Sequence, residues 1–364
     1  MSGLAEAAER LAGAAGVAFP AAVLCCGRGA LELELAVGDA HARTWFDVAS
    51  LTKALSTSLL ALAAWQAGRL DLDEEVLPGA RLWQLLGHVS GLAACLPPLH
   101  AQAQGWLVQP SAATRQAVVE AARAAPRGPA GQQAVYSDLG PILVGDLLEQ
   151  RAGRRLDEQL AALLGPLELE LGFRPLDRAH HEVPAERTAP TRRESPEREP
   201  LRGVVHDDNA RAMLGVAGHA GLFATATGVF RLAQALLDGY HDLGTPAQRA
   251  LGLRSQALRR FFATVEVPGL LTTWGLGWDH PDPLPTDGSP SRSSAGSLWP
   301  RSGVGHLGWT GCSLWLDLEQ RGAAVLLSNR VCVRTAAEAA ATQSAVRALR
   351  PQLHDAIQRA WRSG

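Results

Sequence analysis

Residues 49–56 read ASLTKALS, and Lys53 at their centre is the only lysine among the 34 basic side chains of the 364-residue chain. Arginine supplies positive charge everywhere else, so this position has a reason to keep an amine. On a helix, positions i and i+3 share a face, which projects Ser50 and Lys53 to the same side. A serine hydroxyl is a poor nucleophile until a neighbouring base takes its proton. Lysine can exchange a proton near neutral pH when burial or nearby charge retunes it, whereas guanidinium cannot. The run from Leu51 to Gln66 is mostly apolar and too long for a strand, so it predicts a buried helix with Ser50 as N-cap and Gly68 as its stop. A serine there also sets its backbone N–H and the helix dipole towards developing negative charge.

Working outward, "AAVLCCG" and "ALELELAVG" flank Arg28-Gly29 and predict a β-hairpin. "CSLWLDL" and "AAVLLSN", joined by the polar Glu319–Gly322, predict a second pair of strands near the C-terminus. Helical patterns open the chain, close it from about Ala336 to Arg362, and dominate the middle, as in "TRQAVVEAARAA" and "ILVGDLLEQRAG". The pattern is that of an α/β (α+β) fold, an antiparallel sheet flanked by N- and C-terminal helices and carrying an inserted helical lobe. The expected division is one domain over 1–364, with an α/β lobe at about 1–68 and 216–364 and a helical lobe at about 69–215. Residues 177–208 are rich in charge and proline and read as an irregular excursion and lid candidate.

Net charge near −2 gives no electrostatic case for nucleic acid or an anionic membrane as partner. The five cysteines, Cys25, Cys26, Cys95, Cys312 and Cys332, are odd in number and lack metal-ligand spacing. They read as reduced thiols. With no basic leader and no apolar run of about 18 residues, the expectation is a cytoplasmic protein. His180-His181 and His206-Asp207-Asp208 show no closed-site spacing, so no metal or cofactor is expected. His88 and His219 read as structural hydrogen-bonding histidines, His219 being the better wall for a cleft. Asn329 and Arg330, just past a strand, are candidates for binding a substrate carboxylate or for a structural salt bridge.

Three short motifs stand in order along the chain: Ser50-x-x-Lys53, Tyr136-Ser137-Asp138 and His306-Leu307-Gly308. With "QAGRLDLDEEV", "LLGHVSGL", "GVAGHAGLFATA" and "GHLGWTGCSLWLD", they resemble the serine β-lactamase and penicillin-binding protein superfamily over essentially the whole chain. The tyrosine-containing second motif is similar to class C β-lactamases, D-alanyl-D-alanine carboxypeptidases and related esterases. The resemblance implies a β-lactamase/transpeptidase-like fold with the site between the lobes and Ser50 as the acylated nucleophile. It implies that Lys53 and Tyr136 share proton transfer, and that the N–H groups of Ser50 and Trp309 form the oxyanion hole. His306 would contribute positive charge or a hydrogen bond, with Leu307, Gly308, His219 and Asn329 near the substrate.

Two departures stand out. Asp138 replaces the usual asparagine, which favours a protonated lysine and shifts proton transfer towards Tyr136. Leu307 replaces a common hydroxyl residue, which points away from β-lactam or D-Ala-D-Ala specificity. The expected function is a serine hydrolase of a small ester, amide or short peptide-like substrate. The alternatives are a D-Ala-D-Ala carboxypeptidase or β-lactamase and, in a different class, a catalytically silent ligand-binding or scaffold protein.

Overall fold

The computed structural model describes residues 3–97, 100–179, 183–193, 198–283 and 293–363. Five strands form the main antiparallel sheet: β1 (Ala21–Arg28), β2 (Leu33–Gly38), β3 (Val304–Leu307), β4 (Ser313–Asp317) and β5 (Gly322–Ser328), in the order β2-β1-β5-β4-β3. The hairpins of the two chain ends therefore meet where β1 pairs with β5, with Val23 opposite Leu327 and Cys25 opposite Val325.

Side chains alternate across a strand, so each strand serves two cores. Ala22, Leu24 and Cys26 of β1 face Trp315, Ala324 and Leu326, under the helices α1 (Gly3–Ala14) and α7 (Ala336–Ser363). Ala21, Val23 and Cys25 face the opposite way, with Leu314, Val325 and Leu327, and join the larger core. Burial on both faces explains why these strands read as continuous apolar runs rather than alternating ones.

The chain between the hairpins holds the long buried helix α2 (residues 51–66), then α3 (Ala112–Ala124), α4 (Leu139–Ala152), α5 (Leu156–Leu164) and α6 (Ala226–His241). Helix α4 packs against α2, α3 and α5, while α6 packs on β1 and β5. A small sheet pairs Phe46–Asp47 with Leu222–Ala224 and the latter with Leu171–Phe173. It draws the residues before Ser50 against the segment that carries His219.

Three expectations need amendment. Helix α2 is not uniformly α: Lys53–Ser58 is wound as a π-helix, followed by α-helix over Leu59–Gln66. The hydrophobic pattern carries no sign of this, because its polar members Ser56, Thr57 and Ser58 are all buried. Two of them bond to distant carbonyls, Thr57 to Gly218 (2.6 Å) and Ser58 to Leu276 (2.6 Å). Second, the described part of the 177–208 excursion is anchored rather than lifted off. Trp45 exchanges backbone hydrogen bonds with Arg187 and Ala189, and Thr188, Ala189, Thr191 and Val205 are buried. Third, Asn329 is bonded to the backbone of Ala21 and Pro190 and lines neither cavity of the cleft. The histidine pair 180–181 lies outside the described residues.

No helix among the described residues is long and apolar enough to cross a membrane. Leu326 sits fully buried in the face under α1 and α7. Leu326→Ala is expected to lower unfolding free energy by about 2–5 kcal/mol, measured by urea titration.

Candidate active site

The turn before α2 is held in a shape that the local sequence does not favour. Ala49 has φ +49°, the left-handed region that a residue with a Cβ rarely adopts. Asp47 supplies the restraint: its carboxylate accepts from the N–H of Ala49 (2.8 Å) and of His206 (2.7 Å), and its carbonyl accepts from the Thr310 hydroxyl (2.8 Å). Burial lifts Asp47 to about 6 despite the two N–H groups that favour its charge. Ser50 emerges from this turn with its carbonyl accepting from the Lys53 N–H (3.0 Å). Its hydroxyl caps no backbone group. It is engaged instead by Lys53.

Lys53 is 1% exposed, and its ammonium meets three acceptors. It donates to Ser50 Oγ (2.8 Å) and to the His219 carbonyl (3.2 Å), and it pairs with Asp138 Oδ1 at 2.7 Å. The Tyr136 hydroxyl joins the same network, bonded with both Lys53 and Ser50, and the Tyr136 ring centroid lies 4.9 Å from Lys53 Nζ. Burial alone would push Lys53 down, but the charges of Asp138 and Tyr136 outweigh it and the net shift is upward. Tyr136 is also shifted upward, by burial above all and by Asp138, against the pull of Lys53. At neutral pH Lys53 therefore rests as an ammonium and Tyr136 as a phenol.

Asp138 reaches Lys53 because it does not cap its own helix: no side-chain capping bond is made at the start of α4. Ser137 does that work, accepting from Leu139 N (3.1 Å) and donating to the Ala93 carbonyl (2.6 Å). His88 Nδ1 accepts from Ser137 N–H (3.1 Å), so this histidine fixes the loop that presents Tyr136 and Asp138.

His306 lies beside the same tyrosine, ring centroids 5.8 Å apart. It is pushed down to about 3, by burial first and then by the Lys53 charge. It is thus neutral, with Nδ1–H donated to the Leu307 carbonyl (2.8 Å) and Nε2 buried without a partner. Of the two roles expected for His306, the geometry permits hydrogen bonding and not positive charge.

Gly308 passes so close to the Ser50 turn that a Cβ there would lie 2.5 Å from the Val48 carbonyl oxygen. The next residue, Trp309, is 57% exposed at the mouth of the cleft. Among the described residues, the N–H groups of Ser50 and Trp309 have no hydrogen-bond partner. The loop carrying Trp309 is fastened by two arginines. Arg350 of α7 donates to the carbonyls of Gly308 (3.0 Å), Gly311 (3.3 Å) and Cys312 (2.7 Å), and the Arg330 guanidinium stacks 4.7 Å from the Trp309 ring centroid.

Ser50, Tyr136 and Trp309 line two cavities of about 660 Å³ each. Leu307, Gly308, His306 and Arg330 line one, and Asp138 and His219 line the other. Asn329 lines neither. Its amide accepts from Ala21 N–H (2.9 Å) and donates to the Pro190 carbonyl (3.1 Å), so it ties β1 to the excursion. Its place just past a strand suggested a ligand contact, but both ends of the amide are spent on backbone. His206, Asp207 and Asp208 are likewise engaged, with Thr191, His219 and Arg192. Among the described residues no group of three or more His, Cys, Asp or Glu is placed to hold a metal.

The family model described as Beta-lactamase matches residues 6–347, and the chain belongs to that family. It is 28% identical over 318 residues to an N-acetylmuramyl-L-alanine amidase of Bacillus subtilis (strain 168), covering 79% of this chain and 68% of the relative. It is 26% identical over 319 residues to a protein of Escherichia coli (strain K12) that bears a D-alanyl-D-alanine carboxypeptidase name, covering 79% and 69%. In fold it is similar to a simvastatin synthase variant of Aspergillus terreus, with TM-score 0.68, 19% identity and full coverage of both chains. The β-lactamase/transpeptidase-like fold expected from the motifs is thus the fold of this chain.

Removing Arg350 would strand three carbonyls that it now serves, at 7% exposure of its own side chain. Arg350→Leu is expected to cost at least about 2 kcal/mol in thermal or urea unfolding. An unchanged stability would mean that the loop holds itself.

Proposed function

We propose that the chain is a serine hydrolase that acts through an acyl-enzyme on Ser50, with a small ester, amide or peptide-like substrate. The observation that carries this reading is the 2.8 Å bond between the buried Lys53 Nζ and Ser50 Oγ, in a network that also holds Tyr136. Because Lys53 donates to Ser50 Oγ, the serine proton is left to point at Tyr136. When the Lys53–Tyr136 pair has lost one proton, the phenolate beside the ammonium takes the Ser50 proton as Oγ bonds to the substrate carbonyl carbon. The carbonyl oxygen becomes an oxyanion facing the free N–H groups of Ser50 and Trp309. Collapse expels the leaving alcohol or amine with the proton from Tyr136. Water then repeats the steps on the ester carbon, giving its proton through Tyr136 back to Ser50 and releasing the acid.

The arginine side of the cleft supports a carboxylate on the leaving group. Arg330 and Arg347 line one cavity and form no ion pair among the described residues. That feature favours a carboxypeptidase-like reading over a simple esterase, in keeping with the names of the relatives.

Ser50→Ala and Lys53→Ala are each expected to lower kcat/KM for p-nitrophenyl acetate by at least about 100-fold. Retained activity in Ser50→Ala would refute the reading. The reactive form has lost a proton from a pair that is shifted upward, so kcat/KM should rise with pH through the alkaline range. Asp138→Asn removes a charge that raises both Lys53 and Tyr136. Its rising limb should therefore move to lower pH by about 1–3 units, the usual scale for one close opposite charge. An unmoved limb would show that Asp138 does not govern the pair.

A further inference from the structure

The turn that presents Ser50 combines two unfavourable features. Ala49 stands at φ +49°, where a residue with a Cβ is strained. Thr52 closes the far side of the turn, donating its N–H (3.0 Å) and its hydroxyl (2.6 Å) to the Ala49 carbonyl. On the near side the Ala49 N–H goes to Asp47 Oδ1 (2.8 Å). Asp47 is the second feature: it is 3% exposed, and burial works against its charge. A helix start needs neither, since an ordinary cap supplies an acceptor without strain. Strain kept beside a reacting group points to a task for it.

The other partners of Asp47 show the task. Its Oδ2 accepts from the His206 N–H (2.7 Å), at the head of a segment in which Asp207 bonds to His219 (2.8 Å) and the His219 carbonyl receives Lys53 (3.2 Å). Its backbone carbonyl accepts from the hydroxyl of Thr310 (2.8 Å), the residue after Trp309. One residue thus joins the turn of Ser50, the segment that seats Lys53 and the loop that carries the Trp309 N–H. We propose that Asp47 is a positioning residue of the reaction, holding the Ser50 turn in register with Lys53 on one side and with the Trp309 loop on the other. It moves no proton and acts through Ser50. The role rests on Ser50 as the acylated nucleophile.

The test is fluorophosphonate labelling of the full chain, read both as a rate and as a final stoichiometry. Asp47→Asn keeps the size of the side chain but sets an NH2 group against one of the two N–H donors. Labelling of Ser50 should still reach the wild-type stoichiometry, but about 10–100-fold more slowly, the scale of a displaced reacting atom. Adding Ala49→Gly lets the turn form without its Cβ, and should recover at least about threefold of that rate. Thr310→Val cuts the tie to the Trp309 loop with Asp47 in place, and should slow labelling about tenfold. A wild-type rate in Asp47→Asn, a lowered stoichiometry at unchanged rate, or slow labelling that glycine leaves unimproved would overturn the role while Ser50 stands as nucleophile. Should Asp47→Asn fail to fold, Thr310→Val decides: slow labelling to full stoichiometry supports the role, and a wild-type rate overturns it. An adduct that survives Ser50→Ala, or none on the wild-type chain, would remove the nucleophile and the role with it.

Discussion

A single buried ammonium organises the cleft. Lys53 is out of water, and an unpaired charge there would cost several kcal/mol. Its cost is met by Asp138 at 2.7 Å, Ser50 Oγ at 2.8 Å and the His219 carbonyl at 3.2 Å, from three separated parts of the chain. Each partner must be delivered by its own scaffold: Asp138 by the start of α4, His219 by the loop before Leu222–Ala224, and Ser50 by the turn that Asp47 restrains. Compensation of one lysine thus ties these three parts of the chain together. It also fixes the protonation state, because an amine surrounded by three acceptors is an ammonium.

That state decides which group moves the proton. Had Lys53 been left with burial alone, it would titrate downward and serve as a base. With Asp138 beside it, the ammonium is held and Tyr136 is the member of the pair that receives the Ser50 proton in the proposed cycle. His306, pushed down by the same lysine, stays neutral and cannot act as a second cation. The site carries its positive charge at Lys53 and at the arginines of the cavity wall.

Much of this was legible in the sequence. The solitary lysine at i+3 from a serine, the near-absent tyrosine placed before a helix, and the glycine beside a strand each had a chemical reason and stood in the family's order. The two hairpins and the terminal helices were read correctly because apolar runs and turn residues are local signals. What was hidden depends on partners far apart in the chain. Asp47 reaches His206, Arg350 reaches the loop 308–312, and Asn329 reaches Ala21 and Pro190. None of these residues has a pattern that distinguishes a long-range backbone contact from a ligand contact, so Asn329 reads as a site residue and Asp47 carries no signal. Only its neighbour's left-handed backbone marks Asp47 as a restraint. The π-helical turn after Lys53 was equally silent, since winding leaves the same hydrophobic pattern.

In the proposed cycle Ser50 Oγ is the atom that becomes acylated. The direct measurement is incubation of the chain with a fluorophosphonate, digestion, and mass spectrometry of the peptide containing Ser50. The expected result is one stoichiometric adduct on Ser50, lost when Lys53 is replaced by alanine. An adduct on another residue, or none at all with a folded protein, would contradict it.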